Sequence, residues 1–71
     1  MGARKDEVPL TGLSARAQTA VRAALAGRAV TSENLRSLTQ RDLFAVSGVG
    51  RRTLKEVVGW AAMSGVRLPR G

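Results

Sequence analysis

The chain has 71 residues, enough for one small domain near the lower limit at which a core holds without cross-links. It contains no cysteine and no histidine, which excludes a disulfide framework and thiolate or imidazole metal sites, and removes the commonest general base. Twelve basic residues, ten of them arginine, face five acids for a net charge of +7, so the expected partners are polyanions, nucleic acid ahead of anionic membrane.

Eight of the basic residues lie between Arg16 and Lys55, where the only acids are Glu33 and Asp42, so the excess belongs to the body of the domain. An arginine-rich proteome would produce the same count, so the charge needs a geometry before it means binding. Among the five acids only Asp6 and Glu7 are adjacent, and no catalytic constellation forms. The expectation is a non-enzymatic protein with no metal, cofactor or small-molecule substrate. No apolar run approaches the ~20 residues that span a bilayer. The first residues, MGARKDEV, lack a signal-peptide core, and Asp6 stands where a myristoylation site needs Ser or Thr. The expected compartment is the cytoplasm, with no membrane partner.

In chain order, residues 1–8 are polar and aperiodic and read as a flexible N-terminal arm, followed by an extended or turn segment from Pro9 to Gly12. Ser14 is the N-cap of a first helix whose stripe is Leu13, Ala17, Ala20, Val21, Ala24 and Leu25 at three- and four-residue spacing, ended by Gly27. Thr31-Ser32-Glu33 opens a short second helix reaching about Leu38. Thr39 and Asp42 stand at capping-box spacing before Leu43, Phe44 and Val46, a third helix stopped at Ser47-Gly48.

The last helix runs from about Arg51 to Ser64, with Gly65 as its C′ glycine and Leu54, Val57, Val58 and Ala61 as its buried stripe. Gly59 costs that helix roughly 1 kcal/mol against alanine, which suggests a closely packed neighbour. Trp60, one position off the stripe, reads as a cap on the core edge or a partner contact. Val66 and Leu68 return to the core, and Pro69 begins a tail over 69–71. The domain over 9–68 is therefore all-α, a compact bundle of four to five short helices.

The stretch SGVGRRTLKE, residues 47–56, joins the last two helices and carries the strongest functional signal. Gly-apolar-Gly followed by a helix that opens on basic residues is the helix-hairpin-helix pattern. Val49 anchors the turn inward. The N–H groups of Gly50, Arg51 and Arg52 open the next helix, whose dipole places about half a positive charge there. A phosphate oxygen suits that position, with Arg52 and Lys55 adding charge and the Thr53 hydroxyl another donor. A plain structural turn with solvated arginines is the competing reading. Arg22, Arg28, Arg36 and Arg41 read as solvated charge, and Arg16 could pair with Glu33 or Asp42.

LSARAQTAV at 13–21, DLFAVSGVGRRTLKEV at 42–57 and SGVRL at 64–68 occur in the order and spacing of the C-terminal domain of the bacterial RNA polymerase alpha subunit, which the chain resembles. The resemblance covers Leu10 to Leu68. Its middle segment is shared in part with other helix-hairpin-helix domains. It implies a surface inserted into the minor groove of A·T-rich double-stranded DNA, in transcription or its regulation. By position, Arg16 takes the place of the family's main minor-groove arginine, Gly50 of its hairpin glycine, Arg52 of a lysine and Thr53 of a serine. Glu56 matches the glutamate of the last helix and, with Trp60, is a partner-contact candidate.

The chain departs from that family at Thr19 and Gly48, where it has asparagine, and at Ala20, where it has cysteine. The acidic residues with which the family touches sigma are replaced by Pro9, Leu10, Thr11 and Gly12. With its own Met1 and no assembly domain, the chain reads as a free-standing or excised domain. The expected DNA contacts are thus Arg16, Thr19, Ala20, Gly48, Gly50, Arg51, Arg52, Thr53 and Lys55. The alternative is an adaptor that mimics the alpha domain to engage RNA polymerase or a transcription factor.

Overall fold

The computed structural model of the chain describes residues 7–71. Four helices follow in order: α1 (Ala15–Leu25), α2 (Ser32–Arg36), α3 (Gln40–Phe44) and α4 (Arg51–Met63). Among the described residues there is no strand, only an isolated antiparallel bridge between Glu7 and Thr31. The all-α expectation is borne out. Residues 1–6 of the expected arm lie outside the described residues.

Local signals account for the helix ends. Ser14 caps α1 by accepting from the Ala17 N–H, and Thr31 caps α2 by accepting from Asn34. Thr39 and Asp42 close a reciprocal capping box on α3, each side chain accepting from the other residue's N–H at 3.0 Å. At the far end of α4, Gly65 at φ 82° adopts the left-handed conformation. Its N–H reaches the Ala62 carbonyl at 3.0 Å while the Val66 N–H reaches Ala61 at 2.8 Å, the paired bonds of a Schellman stop. The second and third helices are shorter than expected, so Leu38 and Val46 enter from the loops that follow them.

One core joins all four helices. Val21, Leu25, Leu35, Leu38, Leu43, Val57 and Val66 are its largest fully buried side chains. Burying each contributes about 1.5–3 kcal/mol. Three expectations need correction here. Val8, read as part of the arm, is buried in the core and donates its N–H to the Val30 carbonyl at 2.8 Å. The segment after Leu68 is docked, because Pro69 and Arg70 carbonyls accept from the Gln40 and Arg41 N–H groups at 2.7 and 3.1 Å. Gly59 is exposed, and a Cβ built there meets nothing within 4 Å, so no close neighbour explains it.

Phe44 also differs from the helix-three pattern. It is 54% exposed while its neighbour Leu43 is fully buried, the one buried residue of the five-residue α3.

Candidate nucleic-acid interface

The hairpin is built by α3 and α4, which pack against each other and against α1. Gly48 turns the chain at φ 85°, a conformation that glycine adopts without a Cβ penalty. Val49 is half-buried beneath the turn, with its N–H on the Val46 carbonyl at 3.2 Å. Gly50 then stands as the N-cap of α4 in extended backbone.

That start is open. Gly50 supplies no side-chain cap. The first hydrogen bond of the helix comes from the Leu54 N–H to the Gly50 carbonyl at 3.0 Å. The N–H groups of Arg51, Arg52 and Thr53 precede it and have no partner within a regular helix. Arg51 and Arg52 are exposed, adding two cations to the positive end of the dipole.

Arg16 lies on the far side of an open cleft from the turn. The cleft is walled by Arg16, Thr19 and Ala20 of α1 and by Val46, Ser47 and Gly48. Two segments about thirty residues apart in sequence thus form one surface. Arg16 is exposed on its rim, and the carboxylate of Asp42, one of its possible partners, accepts from the Thr39 N–H instead.

The expected contact residues do not all sit alike. Thr19 is exposed, but its hydroxyl donates back to the Ala15 carbonyl at 3.0 Å, so toward a ligand it offers lone pairs. Ala20 is buried and contributes wall, not a polar contact. Thr53 is buried on the core side of the first turn of α4, which places its backbone, more than its side chain, at the helix start. Lys55 is exposed one turn later and lines the grooves flanking α4, not the Arg16 cleft.

Glu56 and Trp60 are engaged within the domain. The Glu56 carboxylate accepts from the Ser14 N–H at 2.5 Å and the Ser14 hydroxyl at 3.0 Å, tying α4 to the start of α1. Trp60 is half-buried against the core, and its Nε1–H donates to the Pro9 carbonyl at 3.0 Å. Ser47, absent from the expected contacts, is exposed on the cleft wall beside Gly48. Its place next to the glycine that lacks a side-chain donor was the available signal. Among the described residues, no group of three or more Asp and Glu is placed to hold a metal. No described helix is long and apolar enough to cross a membrane.

No protein-family model, curated protein or solved structure matches the chain.

Proposed function

We propose that this chain is a DNA-binding module, acting in the cytoplasm in transcription or its regulation, as its resemblance to the polymerase alpha C-terminal domain implies. The observation that carries the reading is the open cleft that sets exposed Arg16 opposite the Ser47–Val49 turn, which leads directly into the uncapped, doubly basic start of α4. A backbone phosphate takes the free N–H groups of Arg51, Arg52 and Thr53, with the Arg51 and Arg52 guanidiniums on its flanks. Arg16 enters the adjoining minor groove. A·T tracts narrow that groove and deepen its negative potential, so one guanidinium reads shape without a base code. Ser47 adds a hydroxyl beside the phosphate position.

An adaptor role, in which the domain engages polymerase or a transcription factor through protein contacts, draws support from one feature. Thr19, Ala20 and Gly48 put no free side-chain donor on the cleft, which leaves Arg16 and Ser47 to supply the side-chain donors there. The two roles separate in an NMR titration with a short A·T-rich duplex at low salt. DNA binding gives amide shifts concentrated at residues 16–20 and 47–55. Absence of shifts there rejects the DNA reading and leaves the adaptor.

A further inference from the structure

The wall that α1 gives to the open cleft consists of Ala15, Arg16, Thr19 and Ala20. The two alanines carry no polar side-chain atom, so the polar chemistry of that wall comes from Arg16 and Thr19. A guanidinium has donors only. The Thr19 hydroxyl lies 3.0 Å from the Ala15 carbonyl oxygen. A carbonyl cannot donate, so the hydroxyl hydrogen points at Ala15 and only lone pairs remain for a ligand. Both residues are exposed. One helix face thus presents a donor side chain and an acceptor side chain three positions apart.

Base edges in the minor groove carry a matching asymmetry. A·T and T·A pairs show only acceptors, adenine N3 and thymine O2, whereas a G·C pair adds the guanine N2 amine, the one donor on that side. A hydroxyl that can only accept therefore has a partner on a G·C pair and none on an A·T pair. Helix residues three apart stand about 5–6 Å from each other at Cβ, one to two base-pair rises of about 3.4 Å. With the Arg16 guanidinium on the acceptors of one pair, Thr19 comes over a pair one or two steps away.

We infer that Thr19 is a specificity-determining residue that favours a guanine amino group one or two base pairs from the A·T segment occupied by Arg16. The inference rests on the DNA-binding reading above and adds a base contact to it. The site read is then a short A·T segment bounded by a G·C pair, not a continuous A·T tract. Ser47 on the opposite wall is exposed, and a solvated hydroxyl, able to donate and to accept, makes no such distinction.

The test uses diaminopurine in place of adenine, which adds an N2 amine to the minor-groove edge of an A·T pair and leaves its major-groove edge as it was. One such base is moved stepwise along an A·T-rich duplex. Binding is measured by anisotropy at low salt for wild type and for Thr19→Val, which keeps the shape of the side chain without the oxygen. Thr19 is exposed, so the substitution leaves the core intact. At one register, wild type should bind the diaminopurine duplex about fivefold more tightly than the parent duplex. Thr19→Val should bind the two equally or prefer the parent. Both proteins meet the same DNA, so the comparison separates recognition from any change the amine makes in the duplex itself. At the same register, replacing a G·C pair by inosine·C removes the amine and should weaken wild type alone. If wild type binds the duplexes but gains nothing at any register, or if Thr19→Val keeps the gain, the role of Thr19 is overturned while the DNA-binding reading stands. If wild type binds no duplex, the DNA-binding reading fails and this inference fails with it.

Discussion

The starts of α3 and α4 lie in the same hairpin and solve the same problem in opposite ways. At α3, Thr39 takes the Asp42 N–H, Asp42 takes the Thr39 N–H, and the carbonyls of Pro69 and Arg70 take the N–H groups of Gln40 and Arg41. A five-residue helix has every early donor satisfied. At α4, a helix of 13 residues begins on a glycine with no side-chain cap and two exposed arginines. Ser, Thr, Asp or Asn at that position is ordinarily worth stability, so their absence from the longest helix is a cost the fold carries. A closed start is a device for folding, and an open one leaves donors for a ligand. The same contrast holds for α1, whose Ser14 cap is itself held by Glu56.

Breaking the closed starts should cost stability and leave the proposed DNA contacts in place. The largest effect is expected from Glu56→Ala, which removes two hydrogen bonds to a half-buried carboxylate. A loss of about 2 kcal/mol, or roughly 10 °C in Tm, should appear in thermal denaturation. Thr39→Ala opens one side of the α3 capping box. It should cost about 1 kcal/mol and lower Tm by roughly 5 °C, with DNA affinity measured by anisotropy unchanged.

Gly59→Ala tests whether α4 tolerates flexibility only at its start. The site is exposed, has space for a methyl group and lies in the helix interior, so the change should stabilise by up to about 1 kcal/mol without altering binding. A destabilised Gly59→Ala protein would mean that the glycine serves packing after all. The smallest effect belongs to Gly50→Ser, a few tenths of a kcal/mol of stabilisation from a new cap, visible as a slight rise in the denaturant midpoint.

Much of the hairpin is legible in the sequence, because its determinants are local. A cap and its N3 residue stand three positions apart, and a helix-stopping glycine acts on the turn it closes. Thus Ser14, Thr39 with Asp42, and Gly65 all perform the roles their spacing implies. The misses are long-range. Glu56 meets Ser14 across 42 positions and Trp60 meets Pro9 across 51, and no period in the chain announces either pairing. The docking of Pro69 and Arg70 on α3 depends on backbone carbonyls, which every residue carries, so side-chain chemistry offers no sign of it. Thr53 and Phe44 show the same difficulty on a smaller scale. Thr53, read as a ligand hydroxyl, is buried in the first turn of α4, and Phe44, which follows the capping box beside Leu43, is exposed.

The most direct test of the open start is Gly50→Asp, measured for both stability and DNA affinity. Gly50 has extended backbone and room for a side chain, so aspartate can cap α4 and complement its dipole. The same carboxylate would occupy the N–H groups and repel the phosphate assigned to them. The two properties should therefore move apart, with Tm unchanged or raised by up to about 5 °C while affinity for an A·T-rich duplex falls at least about tenfold. A Gly50→Asp protein that is as stable as wild type and binds the duplex equally well would contradict the assignment of the α4 start to phosphate.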